Sequence, residues 1–169
     1  MMLQLALYGT VIAFSFMAWG LVVAWYLWPE LRRQPRAEAL RPLLLLHSFR
    51  FIGLAFLVPG VVSPELPAAF ARPAAYGDLI AAILALLALA ALRSRLGLPL
   101  VWVFNLWGSA DLLYAFYQGN SVGLVPGQLG AAYFIVVVIV PLLFITHGLV
   151  FRLLLQDDVV ATSRAAGTK

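Results

Sequence analysis

The sequence predicts an all-α membrane protein, a bundle of five transmembrane helices with the N-terminus outside and the C-terminus cytoplasmic. Three observations lead there. The 169 residues are 64% hydrophobic and 11% charged, with a mean hydropathy of +0.99. A soluble domain runs nearer half apolar and a quarter charged, so the surplus needs lipid to face. The apolar residues gather into five runs, about 3–28, 42–58, 74–92, 99–117 and 130–155. Each reaches or approaches the roughly 17–25 residues that a spanning helix requires, and backbone groups in lipid must be satisfied within the segment, which selects helices. Finally, the basic residues lie in the connectors. Arg32, Arg33, Arg36, Arg41, Arg93, Arg95, Arg152, Arg164 and Lys169 fall on one face, against Arg72 alone on the other. The positive-inside rule makes the first face cytoplasmic. The chain is short enough to read as one membrane domain, 1–169, with 156–169 a polar cytoplasmic tail.

The first run has no basic n-region and is too long for a signal-peptide core, so it is expected to be retained. It closes at Pro29. The second and fourth open at Pro42 and Pro99, which are expected in first turns, where a missing N–H costs little. The third is rich in Ala and Leu and ends at RSR; Asp78 is expected at its outer mouth. The fifth contains Pro141, which should kink it. Trp19, Trp25, Trp28, Trp102, Trp107 and Tyr26 fall mostly near span ends and suit interfacial anchoring. LVPG recurs at 57–60 and 124–127, and AAY at 74–76 and 131–133. Either the second–third and fourth–fifth hairpins are parallel repeats, or two outer loops use the same turn chemistry independently.

Several function classes drop out. With no cysteine there is no disulfide, thiolate metal site, iron–sulfur cluster or covalent c-type haem. Lys169 is the only lysine, so no Schiff-base lysine sits in the membrane. The net charge of +4 is dispersed and forms no nucleic-acid patch. G-x-S-x-G, H-E-x-x-H and P-loop patterns are absent.

The chemistry-bearing residues are the polar groups inside the runs. At about 1.5 Å per residue from the cytoplasmic face, His47 lies about 7 Å deep, Arg50 about 12 Å, Asn105 and His147 about 9 Å, and Asp111 about 18 Å. Ionisable groups in spans are costly and normally face inward with partners. Arg50 remains charged at any accessible pH, and Asp111 is the carboxylate expected to compensate it, with Asn105 nearby. Arg50 could instead also meet an anionic ligand group. His47 and His147 are the only histidines, on different helices at similar depth. One imidazole from each of two helices is the ligand set of a b-type haem, with iron held by both and Arg50 meeting a propionate. Gly53, Gly108 and Gly148 would clear space for the macrocycle. Alternatively the histidines are interhelical hydrogen-bonding glue.

LPAAFARPAAYGD, Leu66–Asp78, resembles a segment of uncharacterised bacterial multi-spanning inner-membrane proteins, in which an LP-x-x-FA turn precedes a GD at a helix start. The resemblance covers mainly the second and third spans. It implies a bacterial inner membrane and supplies no catalytic residues.

Three readings follow, and the enzyme question stays open among them. One is a cofactor or ligand site in the cytoplasmic half, sharpest as a bis-histidine haem b redox or sensing protein. The second is a transporter or binder of small or lipophilic molecules using Arg50 and Asp111. The third is an accessory subunit. Partners are the lipid bilayer and either further copies or a larger membrane complex, with no nucleic acid.

Overall fold

A computed structural model describes residues 2–156. The tail from 157 onward, with Arg164 and Lys169, lies outside the described residues. The described chain is helical, with no β-strand. Helix α1 (Met2–Val22) runs through a π-turn (Val23–Leu27) into α2 (Trp28–Leu31). Helix α3 (Arg36–Ser48) continues as a 3₁₀ segment (Phe49–Leu57). Then come α4 (Ala68–Ala91), α5 (Gly97–Ser121), a 3₁₀ turn (Pro126–Ala132), a second π-turn (Ile135–Ile139) and α6 (Val140–Leu155).

Four helical stretches, Met2–Leu31, Arg36–Leu57, Ala68–Ala91 and Ile135–Leu155, are long and apolar enough to cross a membrane. Helix α5, at 25 residues, has the length. Asn105, Asp111, Gln118 and Asn120 dilute its hydropathy.

The prolines explain the irregular turns. Pro29 and Pro141 offer no N–H to the carbonyls of Trp25 and Val137, and each is preceded by a π-turn, the wide turn that relieves the ring's clash with the preceding turn. Pro99 sits in the first turn of α5. Pro42 does not open its helix; α3 begins at Arg36 and Pro42 lies inside it. Pro73 lies inside α4, which starts at Ala68. The Gln118 side-chain amide donates to the carbonyl of Ala69, the very group Pro73 leaves without a helical partner, over a long 3.5 Å. Gln118, inside α5, thus ties that helix to α4.

The LVPG and AAY echoes are not structural repeats. The first LVPG leaves a 3₁₀ segment through Gly60 (φ 85°), whereas the second enters a 3₁₀ turn at Pro126. The first AAY is mid-helix and the second straddles a turn's end. The two loops instead pair with each other: Ala131 N–H donates to Val61 O (2.8 Å) and Ser63 N–H to Gln128 O (3.1 Å). Gly130, at φ 53°, permits that approach, because a Cβ there would run into the Val61 carbonyl.

Helix α4 packs against α5, α3 and the 3₁₀ segment, and α6 packs against α1, α3 and α5. Two apolar layers result. One holds Leu40, Leu44, Ala85, Val101, Phe104 and Val150; the other holds Phe56, Phe70, Ala74, Leu129 and Ala132. On every core helix the polar residues fall between the two layers in chain order.

Candidate functional site

The site begins with a change of helix period. A 3₁₀ helix has three residues per turn, so residues i and i+3 eclipse. His47, Arg50, Gly53 and Phe56 follow that spacing, and all four are buried, forming one line facing the bundle. An α-helix would have rotated Phe56 away from Arg50.

Arg50 is 1% exposed and makes four hydrogen bonds. Its Nε donates to Asp78 Oδ1 (2.7 Å) and its NH2 to Asp111 Oδ2 (2.6 Å). Its NH1 donates to the Gly108 carbonyl (3.1 Å) and to His147 Nε2 (3.1 Å). A buried guanidinium is tolerable when its charge and its donors are both met. Here α4, α5 and α6 all contribute to one cation.

The structure thus brings Arg50 to Asp111, and adds a partner that the sequence reading placed at the outer mouth. Because α4 begins six residues earlier than expected, Asp78 is its eleventh residue and lies about 15 Å along the helix. Its side chain is only 12% exposed.

Close approach is achieved by glycine. A Cβ at Gly53 would overlap the Asp78 carboxylate, and one at Gly77 the Asp111 carboxylate. At Gly108 a Cβ would lie 2.5 Å from the His147 ring and 2.7 Å from Arg50 NH1. Gly53 and Gly108 therefore clear space for charged side chains rather than for a macrocycle, and Gly148 faces nothing within 4 Å.

The histidines do meet: their ring centroids are 4.2 Å apart, with Phe104 packed against both. A guanidinium only donates, so His147 Nε2 must be the accepting nitrogen, and its Nδ1–H donates to Asn105 Oδ1 (2.6 Å). The Asn105 amide returns a 3.3 Å bond to the His147 carbonyl. His47 Nε2 lies 2.9 Å from the Thr146 hydroxyl, and its buried Nδ1 has no partner.

As arranged, this pair does not fit an axial haem set. An iron held by both rings would keep the two ligating nitrogens about 4 Å apart, with the ring centroids farther still and the macrocycle between them. Here the rings lie against each other and the His147 lone pair is engaged by Arg50. Among the described residues no group of three or more His, Cys, Asp or Glu side chains is disposed to hold a metal ion.

Beside the cluster lies a cavity of about 840 Å³. Tyr8, Ile12 and Phe16 of α1, Phe144 of α6, and Phe56 and Phe70 line it, together with Asp78 and Asp111. Asp111 also lines a smaller groove of about 320 Å³ between α4 and α5, with Gly77 and Trp107.

A family model for a domain of unknown function, DUF8737, matches residues 7–155. The chain belongs to that family. The match covers the whole cluster and all of the cavity lining except Leu5. No curated protein and no solved structure matches the chain.

Two of the site's members escaped sequence reasoning. Asp78 is misplaced when Pro73 is read as the end of the outer loop and the helix is started at Ala74; the Ala-rich AAFA before it is the signal that the helix begins earlier. Gly77 acts through Asp111 on a neighbouring helix, which spacing along one helix does not reveal.

Proposed function

We propose that this domain binds or transports small lipophilic molecules within the membrane, with the α1-walled cavity as the binding site. The observation that carries this reading is the cavity itself: about 840 Å³, walled chiefly by apolar and aromatic side chains, with two carboxylates in its lining. Ligand sites typically occupy roughly 300–1,000 Å³, mostly apolar with few fixed polar groups. In lipid such a space is expected to be filled, and the neighbouring network gives a bound molecule something polar to recognise. The Arg50 network holds α3, α4, α5 and α6 in place behind it, leaving the cavity's other wall to α1.

The membrane setting belongs to the same proposal: five spans, with α5 the fourth, in a bacterial inner membrane with the N-terminus outside. Its support is the bias of basic residues to one face and the resemblance of the Leu66–Asp78 segment. A reporter fused after Leu155 should be active only in the cytoplasm; periplasmic activity would reverse the orientation.

The binding reading is tested with the neutral lipophilic fluorophore N-phenyl-1-naphthylamine, using the protein in nanodiscs. Saturable binding near one per chain above that of empty discs is expected. Signal no greater than empty discs would overturn it.

A further inference from the structure

We infer that the cavity takes a lipophilic organic cation and exchanges it for a proton held by the Asp78–Asp111 pair; this rests on the ligand-binding reading above.

Geometry fixes the charge count of the site. The cluster holds one guanidinium and two carboxyl groups. The α6 contribution, His147, is uncharged, because its Nε2 accepts a hydrogen bond from Arg50 and so carries a lone pair. His47, the titratable group of α3, has a buried ring nitrogen without a partner and lies 4.2 Å from the His147 ring. A charged imidazole would need to place a proton on that unpartnered nitrogen, beside Arg50, so His47 is neutral as well. The remaining titratable group on the cavity wall is Tyr8 of α1, whose ring packs on Tyr133, and Tyr114 lies on the α4–α5 groove. Neither is cationic. With both carboxylates ionised, the site would carry one surplus negative charge in surroundings that penalise an unpaired charge. It must therefore hold either one proton or one further cation.

The walls decide which cation. Phe16, Phe56, Phe70, Phe116 and Phe144 surround the space, and aromatic faces attract organic cations through their quadrupole. A small inorganic ion would demand several oxygen ligands, which such walls do not supply. Asp111 is the carboxyl group that the ligand would meet: it lines both openings, the large cavity and the α4–α5 groove. The exchange balances. The entering cation pairs with a carboxylate, the carboxyl O–H breaks, and its proton leaves to water, so the site's net charge is unchanged.

The test uses three probes of similar bulk on nanodisc-embedded protein, with empty discs subtracted: tetraphenylphosphonium, tetraphenylborate and neutral triphenylphosphine oxide. Expected is phosphonium binding at least about tenfold tighter than the other two. About one proton should be released per cation bound, with affinity rising as pH rises. Asp111→Asn and, independently, Asp78→Asn should abolish the preference and the proton release. Equal binding of the neutral probe, or phosphonium binding without proton release, would overturn the inference. If none of the three binds while N-phenyl-1-naphthylamine does, the cation inference fails and the cavity reading stands; if all four fail, both fall. The comparison within the unaltered protein decides the matter even if the Asp variants do not fold.

Discussion

Helices α1 and α4 are both long and apolar, yet they sit in the molecule in opposite ways. Of the 21 residues of α1 none is buried, whereas ten of the 24 in α4 are. The difference is side-chain size and one carboxylate. Helix α4 presents Ala71, Ala74, Ala75, Ala81, Ala82, Ala85 and Ala88 to its neighbours, and Asp78 ties it to Arg50. Helix α1 presents Leu, Phe and Met, and is attached by the Trp19 indole N–H donating to the Val138 carbonyl (3.0 Å) and by Tyr8–Tyr133 and Phe16–Phe144 ring contacts. Lipid is as apolar as leucine, so apolar surface alone does not hold helices together in a membrane; small residues and polar pairs do. Four helices make a rigid frame around a buried cation, and α1 is a wall laid against it.

The largest effect should come from the frame's centre. Arg50→Met strands two buried carboxyl groups and is expected to cost about 3–5 kcal/mol, measured as loss of the folded form in detergent melts. Adding Asp78→Leu and Asp111→Leu should recover much of that loss. Asp111→Asn alone should cost less, because Asp78 still pairs with the guanidinium.

Next come the glycine seats. Gly108→Ala forces the His147 ring and Arg50 apart and should destabilise by about 1–3 kcal/mol. Gly148→Ala, with nothing within 4 Å, should be close to neutral in the same melt.

The Arg50–Asp111 pair was legible because a permanent cation in a span needs an anion at comparable depth, and the chain offers few. The inward direction of His47 and Arg50 was legible from their three-residue spacing. What spacing could not give is what lies between two histidines at one level: contact and a competing guanidinium, rather than a gap. Nor could it place Asp78, since Pro73 reads as the end of a loop until a side chain elsewhere, here Gln118, is seen to meet the carbonyl it orphans. The helical class was plain in composition. The break in period after Ser48 was not, because Phe49–Leu57 is an apolar run without a proline to mark it.

A smaller effect is expected at the wall's tether. Trp19→Phe removes one hydrogen bond, worth about 1 kcal/mol, and should speed amide exchange in α1 while α4 exchange stays unchanged. Equal changes in both helices would mean that α1 belongs to the frame.

The most direct measurement of the division between frame and wall is Ile12→Trp, which adds bulk to the cavity from the α1 side. Probe binding and the melting temperature are read on the same nanodisc sample. The account predicts that N-phenyl-1-naphthylamine binding is lost while the melting temperature stays within about 2 °C of the unaltered protein. Undiminished binding, or a collapse of the melting temperature like that of Arg50→Met, would contradict it.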